Sequence, residues 1–184
     1  MALASLLAVV AAASGPALPA AVAPTVDCRR HVETTGVRED QRRDALRQSV
    51  IAHGVTFWGL RNAARRPFGG RRGVRGHKAG ISVTHGAPMD VAIAPKDRGW
   101  LALDYDDARS NGERLTVGDG EPITRFVPCS PDTLRFTDDL PIGNETAWAG
   151  GFIVARPGCA TLRLRRADES RWHDVRAGFG RRCG

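Results

Sequence analysis

The sequence predicts an all-β protein: an antiparallel β-sandwich, immunoglobulin-like or jelly-roll, that is stabilised by disulfide bonds. Short runs of alternating apolar and polar residues recur along the chain, and turns rich in Gly, Pro and Asp separate them about every 8–12 residues. The 184 residues include 4 cysteines, and their length favours a single domain.

Period-two alternation assigns the strands in chain order, because successive side chains of a strand point to opposite faces of the sheet. GVTFWGL (54–60) is the first of them. The later ones are ISVTH (81–85), MDVAIA (89–94), GWLALDY (99–105), 123–128, TLRFT (133–137), GFIVA (151–155), ATLRLRR (160–166) and WHDVRAGFG (172–180). A further short strand is expected at 114–117.

The turn at Pro157-Gly158 predicts that 151–155 and 160–166 form a hairpin. In its second strand Leu162 and Leu164 face the core, and the arginines between them face solvent. Just before it, the two glycines of Trp148-Ala149-Gly150-Gly151-Phe152 favour a tight strand entry over the alternative, a ligand groove.

The N-terminal part is predicted to be outside this β domain. Residues 1–23 are rich in Ala, Leu and Val and end in small residues, which is typical of a secretory signal peptide. Their apolar run is too short to span a bilayer, so no transmembrane segment is expected in the mature chain. Residues 24–52 form a polar, Arg-rich arm, either flexible or with a short helix at about 40–51. The β-sandwich domain then covers 53–184.

The cysteines predict disulfides in an exported chain. The favoured pairing is Cys129–Cys159 with Cys28–Cys183, because the second bond would hold both termini. The main alternative is Cys159–Cys183 with Cys28–Cys129. Zinc is disfavoured because no Cys-x-x-Cys motif occurs. The expected location is secreted; a lipid anchor on Cys28 at the membrane surface is the alternative.

The segment 61–76 is the best candidate binding feature in the sequence, with six arginines and no acidic residue. Clustered Arg and Gly can follow a phosphate or sulfate chain, so a cell-envelope polyanion is a candidate partner, beside another protein. Nucleic acid is not expected, because stacking aromatics are missing from the segment. The candidate contacts are Arg61, Arg65, Arg66, Arg71, Arg72 and Arg75.

The sequence contains no nucleophile elbow, zinc-protease helix or phosphate-binding glycine loop, so it predicts no catalytic residue and no cofactor. His77 and His85 are too far apart in an extended chain to share a metal. An acidic loop site for Ca²⁺ is a minor alternative to a solvated loop, and its residues are Asp104, Asp106, Asp107 and Glu113. The sequon Asn144-Glu145-Thr146 matters only in a eukaryotic secretory pathway.

Five segments carry a resemblance to a group of proteins: KAGISV (78–83), APKDRGWLAL (94–103), RFVPCSPDTLRF (125–136), TAWAGGFIVARPGCATLRL (146–164) and GFGRRC (178–183). With them the chain resembles small exported proteins of uncharacterised function from high-GC Gram-positive bacteria. The resemblance implies an exported location and a β fold, and it implies no activity.

The leading hypothesis is therefore an exported, non-enzymatic β-sandwich with a binding or structural role at or outside the cell envelope. One alternative is an exported hydrolase whose site is assembled from residues distant in sequence. Another is a secreted inhibitor or partner-binding protein, for which an exposed, rigid loop near a disulfide would be the mark.

Overall fold

The computed structural model of the chain describes residues 23–33, 39–65, 75–105 and 115–183. The signal peptide predicted at 1–23 lies outside these ranges except for its last residue. Within them the protein consists mostly of β-strands, with two short α-helices, so the predicted all-β class is confirmed.

Most of the predicted strands are present. The structure adds a strand at Arg75–Lys78 and two strands, Thr25–Val26 and Val50–Ala52, inside the segment 24–52 that was expected to lie outside the β domain. The helices are α1 (Glu39–Arg47) and α2 (Leu60–Ala63). The strands are β1 (Thr25–Val26), β2 (Val50–Ala52), β3 (Val55–Phe57), β4 (Arg75–Lys78), β5 (Ile81–Thr84), β6 (Met89–Ile93), β7 (Leu101–Asp104), β8 (Ile123–Phe126), β9 (Glu145–Trp148), β10 (Gly151–Val154), β11 (Gly158–Arg166) and β12 (His173–Phe179). Of the two alternatives for the segment at 40–51, the structure contains the helix.

The strands form three sheets. The five-stranded sheet has the order β1-β8-β6-β11-β12, the four-stranded sheet β2-β3-β5-β9 and the three-stranded sheet β4-β10-β7. The pairs are antiparallel, as expected, with the exception of β1 and β8, which run parallel.

The three sheets share one hydrophobic core, to which each contributes aromatic rings. The ring centroids of Phe126 in β8 and Trp148 in β9 lie 5.3 Å apart, and those of Phe152 in β10 and Phe179 in β12 lie 5.2 Å apart. Phe57 in β3 lies 6.1 Å from Phe152. All five side chains are at most 2% exposed. Because burying one such ring contributes about 1.5–3 kcal/mol, the sheets cannot separate without a large loss of stability.

A buried carboxylate joins three strands of the five-stranded sheet on its outer face. Asp90 of β6 is 1% exposed and accepts two hydrogen bonds from Arg125 of β8, at 2.7 and 3.0 Å, and one from Arg165 of β11, at 2.7 Å. Burial raises the pKa of the Asp90 carboxyl, but the two guanidinium groups outweigh this effect and hold the pKa below its usual range. Asp90 is therefore charged at neutral pH.

The favoured disulfide pairing, Cys129–Cys159 with Cys28–Cys183, is wrong, and the alternative is found. Cys28 is bonded to Cys129, and Cys159 is bonded to Cys183. Because β1 runs parallel to β8, the chain leaves both strands side by side and brings Cys28 next to Cys129. In the antiparallel pair β11–β12, Cys159 lies opposite Gly178, so the chain after β12 returns toward Cys159.

The predicted hairpin of 151–155 and 160–166 is also wrong, although both strands exist. β10 pairs with β4 and β7, whereas β11 pairs with β6 and β12. The turn at Pro157-Gly158 carries the chain from one sheet to another. Gly158 packs against the ring of Trp100, where a Cβ would lie 2.7 Å from a ring carbon, so a glycine is required at this crossing.

Two predicted strands do not form. At 133–137 the structure contains a single bridge between Leu134 and Pro141, because this segment has no neighbouring strand to pair with. Of the strand predicted at 114–117 the structure describes 115–117, which do not form a strand. Val117 begins a 3₁₀ helix, Val117–Asp119, and the Asp119 carboxylate accepts hydrogen bonds from the backbone N–H and the hydroxyl of Thr116 just before it.

Removing the disulfide Cys28–Cys129 should destabilise the protein more than removing Cys159–Cys183, since the bonds join residues 101 and 24 positions apart. The chain-entropy estimates of the two losses are about 4.7 and about 3.4 kcal/mol. Denaturant unfolding of Cys28→Ala/Cys129→Ala and Cys159→Ala/Cys183→Ala under non-reducing conditions measures both. A smaller loss for the first variant would contradict this order.

Replacing Asp90 by Asn should lower the free energy of unfolding by about 2 kcal/mol, because the two arginines lose their charged acceptor. The matched control is Asp174→Asn on the same sheet, where a carboxylate that is 64% exposed lies 3.4 Å from Arg163. The control should cost less than about 1 kcal/mol. Equal losses in urea unfolding of the two variants would show that burial of Asp90 is not what makes it important.

Candidate functional site

A loop directly after Cys129 exposes three large apolar side chains. Leu134, Phe136 and Leu140 are 54%, 77% and 53% exposed, and Phe136 is the most exposed large apolar residue in the described ranges. We name residues 130–142 the apolar loop. Clustered exposed apolar side chains of this kind commonly mark an interaction site.

Hydrogen bonds within the apolar loop hold it in one shape. The N–H of Arg135 donates to the carbonyl of Leu140, and the N–H of Ile142 donates to the carbonyl of Thr133, both at 2.8 Å. The Asp138 carboxylate accepts the N–H of Leu140 at 3.2 Å and pairs with the Arg135 guanidinium at 2.8 Å. The loop is thus cross-linked along its length, although it lies outside the sheets.

The carboxylate of Glu33 fastens the tip of the apolar loop to the body of the protein. It accepts hydrogen bonds from the backbone N–H of Phe136, from the N–H of Thr137 at 3.1 Å and from the Thr137 hydroxyl at 2.7 Å. We name these contacts the Glu33 clamp. His31 supports it: its Nε2 lies 3.3 Å from the Glu33 carboxylate, and its ring stacks on Phe136 with centroids 4.9 Å apart.

The Glu33 carboxyl is ionised at neutral pH. Burial raises the pKa of this carboxyl. The hydrogen bonds from Thr137, Phe136 and His31 lower it by a larger amount, so the pKa lies below its usual range. The clamp therefore consists of charge-assisted hydrogen bonds, which are stronger than those between neutral groups.

The segment that carries Glu33 is itself fixed at several points. Cys28 is bonded to Cys129, and the carbonyl of Cys28 lies 2.7 Å from Nδ1 of His31. Val32 donates its N–H to the carbonyl of Ala147 at 2.8 Å, which adds the segment to the edge strand β9. Residues 28–33 therefore connect the first disulfide to the tip of the apolar loop.

A cavity of about 960 Å³ lies beside the apolar loop, over the outer face of the four-stranded sheet. Ser82 of β5 and Ala147 of β9 are register partners on this face, while their neighbours Ile81 and Trp148 are in the core. Helix α1 lines the cavity with Arg42 and Ala45, and residues 31–33 line it as well. The cavity is thus lined by a sheet face, a helix and the segment that carries the clamp.

Three polar side chains of the cavity, Trp58, Ser82 and Glu145, form a hydrogen-bonded chain. The indole N–H of Trp58 donates to the Ser82 hydroxyl at 2.8 Å, and this hydroxyl donates to the Glu145 carboxylate. Arg42 lies 3.6 Å from the other oxygen of that carboxylate. Ser82 has neither a histidine nor a lysine among these contacts, and its hydroxyl oxygen already accepts a hydrogen bond.

The arginines predicted as polyanion contacts fall partly within the described residues. Arg61 is exposed in α2, and Arg65 is exposed two residues after the end of that helix. Arg66, Arg71 and Arg72 lie outside the described ranges, and of Arg75 the structure describes only the backbone, at the start of β4. Polyanion binding by this segment stays a prediction.

The cysteines considered for zinc binding, and Cys28 as a lipid anchor, are bonded in disulfides. Ligand atoms of Cys28, His31 and Cys129 lie within 4.8 Å of one another, but both sulfurs are in the disulfide and are not available as thiolates. For the same reason the thiol of Cys28 is not free to carry a lipid. Of the residues proposed for Ca²⁺, Asp104 ends β7, and Asp106, Asp107 and Glu113 lie outside the described ranges.

His77 and His85 contact other strands or loops of the fold, and so does Thr146 of the sequon. His77 lies opposite Phe152 in the β4–β10 pair, and His85 has its Nδ1 3.2 Å from the carbonyl of Cys129. In the sequon Asn144 is exposed, whereas Thr146 is buried and its hydroxyl accepts the N–H of Cys129 at 2.9 Å.

The segment Trp148–Phe152 is a tight strand entry, as expected, and it also borders the cavity. Gly150 has a φ of +149°, and a Cβ there would lie 2.3 Å from the ring of Tyr105. Ala149 and Gly150 line the cavity. A ligand groove was the alternative interpretation of this segment. The sequence pattern thus indicated a residue range that borders the cavity, but it indicated neither the Glu33 clamp nor the apolar loop.

Fold and site together define a disulfide-bonded, all-β protein with a preorganised apolar loop and an adjacent polar cavity. The chain matches no protein-family model, no curated protein and no solved structure. Within the described ranges, no helix is long and apolar enough to cross a membrane.

Protonating Glu33 should loosen the apolar loop before the protein unfolds. The pKa of Glu33 is lowered in the folded state, so the clamp contributes fully above the ordinary value of about 4.3 and is lost as pH falls through the lower, folded value. Hydrogen exchange of the Phe136 and Thr137 amides should rise in that acid range, relative to core amides of β6.

The variant Glu33→Gln should show this faster exchange at neutral pH, because an amide is a weaker acceptor than a carboxylate. Exposed Glu169, in the turn between β11 and β12, provides the control Glu169→Gln, which should leave the exchange of the loop unchanged. Unchanged protection of Phe136 and Thr137 in Glu33→Gln would show that Glu33 does not hold the loop.

Proposed function

We propose that this protein is an exported, non-enzymatic β-sandwich that binds a partner protein through its apolar loop. The observation that carries the proposal is the state of Phe136. Its side chain is 77% exposed, yet its backbone N–H is held by the Glu33 carboxylate and its ring stacks on His31. An exposed side chain that is needed only for the fold would not require such positioning.

Preorganisation explains how so small a surface binds a partner usefully. Association loses affinity through the ordering of loops and side chains, and a loop that is already rigid avoids much of that cost. The apolar loop has internal hydrogen bonds, a charged clamp and a disulfide at its base. The central side chain, Phe136, is aromatic, and aromatic residues are enriched at protein interfaces.

The charges around the apolar side chains indicate what kind of surface they fit. Asp132, Asp138 and Asp139 are exposed on the loop, against the single cation Arg135, whereas the chain as a whole has a net charge of +7. A locally acidic loop on a basic protein favours one approach orientation. The partner surface is therefore an apolar pocket that accepts Phe136 and is bordered by Lys or Arg.

Two features support export and a non-enzymatic role. The disulfides Cys28–Cys129 and Cys159–Cys183 are typical of an oxidising compartment, and the sequence predicts a signal peptide at 1–23. In the cavity the Ser82 hydroxyl donates to Glu145 and accepts from Trp58, and the histidine or lysine base that usually activates a serine is not among these partners.

Photo-cross-linking from the apolar loop tests the proposal. A full-length chain with benzoylphenylalanine in place of Phe136, expressed in cells that export it, should give an adduct with one other protein at the envelope or in the medium. The same photo-reactive residue in place of Ile51 is the matched control, because Ile51 is 59% exposed and lies outside the loop. The partner identified from the adduct is then purified for affinity measurements.

The purified partner should bind Phe136→Ser at least about 30-fold more weakly than the unmodified chain, as expected for the central residue of an interface. Ile51→Ser should bind as the unmodified chain does. Equal adducts from both positions, an adduct of two copies of this chain, or an unchanged affinity of Phe136→Ser would each overturn the proposal.

A further inference from the structure

We infer that the cavity beside the apolar loop binds an acidic saccharide, a sugar chain that carries carboxylate groups. Three residues that line the cavity carry the inference: Trp58 with its indole ring, Glu145 with its hydrogen-bonded carboxylate, and the cationic Lys78. The inference does not rest on the apolar loop as a protein-binding site, and the two are tested by different variants.

Trp58 offers a fixed aromatic surface in the cavity. It is half-buried, its N–H is held by Ser82 at 2.8 Å, and it packs beside Gly80, where a Cβ would lie 3.9 Å from the indole and 3.3 Å from the carbonyl of Trp148. The C–H face of a sugar ring is apolar and packs well on such a ring. Because the indole is already immobilised, stacking costs little further conformational entropy.

Glu145 and Asn144 provide groups that recognise sugar hydroxyls. Glu145 is 34% exposed; one of its oxygens accepts from Ser82 and the other lies 3.6 Å from Arg42. A carboxylate has about four lone-pair sites, so Glu145 can accept additional hydrogen bonds from ligand hydroxyls. The exposed amide of Asn144 can both donate and accept.

The balance of charge in the cavity favours a carboxylate on the sugar. Arg42 is near Glu145, and Glu33 is occupied by the clamp. Lys78 also lines the cavity, is exposed, and has no ion pair with any residue in the described ranges. A carboxylate group on the ligand would give Lys78 an ion-pair partner, as Glu145 does for Arg42.

Other ligand classes fit these groups less well. A phosphate monoester carries about two negative charges, more than the single charge of a sugar carboxylate, so Glu145 would repel it more strongly. A wholly apolar ligand would cover the Glu145 carboxylate and leave it without hydrogen bonds from water. A sugar supplies hydroxyl donors, an apolar ring face and, when acidic, one carboxylate per residue.

The test uses oligosaccharides in matched pairs, with NMR spectra of the ¹⁵N-labelled full chain as the readout. The probes are trimers of galacturonic, glucuronic and mannuronic acid, each paired with the neutral trimer of the same linkage and configuration, and inorganic sulfate as a simple anion. At least one acidic trimer should shift the indole N–H signal of Trp58. The indole signal of Trp172, which lies beside Arg163 and Arg165 on another sheet, should not move.

Variants then separate specific binding from attraction by overall charge. Lys78→Gln should weaken the binding of the acidic trimer about tenfold or more, the usual size of a lost hydrogen bond to a charged group. The control is Lys96→Gln, which removes the other lysine of the chain, exposed in the 3₁₀ helix Pro95–Asp97. Trp58→Ala should abolish binding. If Trp58→Ala does not fold, the comparison of Lys78→Gln with Lys96→Gln still tests the inference.

The outcomes separate the two proposals. Phe136→Ser should bind the acidic trimer as the unmodified chain does, whatever its effect on a protein partner. The inference is overturned if no acidic trimer shifts the Trp58 signal, if the neutral trimer or sulfate shifts it equally, or if Lys78→Gln and Lys96→Gln weaken binding to the same extent.

Discussion

The disulfide between Cys28 and Cys129 is the constraint on which both sites depend. It joins the residues just after β1 to the residue just before the apolar loop, which lies 101 positions further along the chain. The indole N–H of Trp148 adds a hydrogen bond to the carbonyl of Asp27 at 2.9 Å, and Val32 pairs with Ala147. Without these contacts Glu33 has no fixed position relative to the loop, and the cavity loses the wall formed by residues 31–33.

The position of the sites follows from how the sheets divide their two faces. The inner faces meet in one aromatic core, and the strand carboxylates Asp90 and Glu145 lie on the outer faces. In the five-stranded sheet Asp90 forms ion pairs with Arg125 and Arg165, and this network stabilises the sheet. On the four-stranded sheet Trp58, Ser82 and Glu145 form an open chain under helix α1, and this chain retains unused acceptors on Glu145. The same alternation thus produces a stabilising cluster on one sheet and the polar lining of the cavity on another.

Alternation within a strand is a local property, and the strands were predictable because of it. Leu162 and Leu164 face the core as expected, since both are fully buried while the intervening Arg163 is partly exposed. Pairing between distant segments is not local, and this is where prediction failed: the disulfide partners and the hairpin at Pro157-Gly158 depend on which sheet each strand joins. The candidate site was hidden for the same reason. Glu33 lies in a polar segment without a recognisable motif, and its partner Phe136 is 103 residues away.

The segment 133–137 shows that an alternating pattern does not always form a strand. Its apolar residues Leu134 and Phe136 have the spacing of a strand, but no strand lies beside them, so they remain in solvent. Burying a leucine or phenylalanine stabilises a protein by about 1.5–3 kcal/mol, so the fold gains nothing from leaving them exposed. A hydrogen-bonded clamp that holds the loop without covering these side chains keeps them accessible. The Glu33 carboxylate holds the loop in this way, because it accepts a hydrogen bond from the backbone of Phe136 and leaves the apolar side chain 77% exposed.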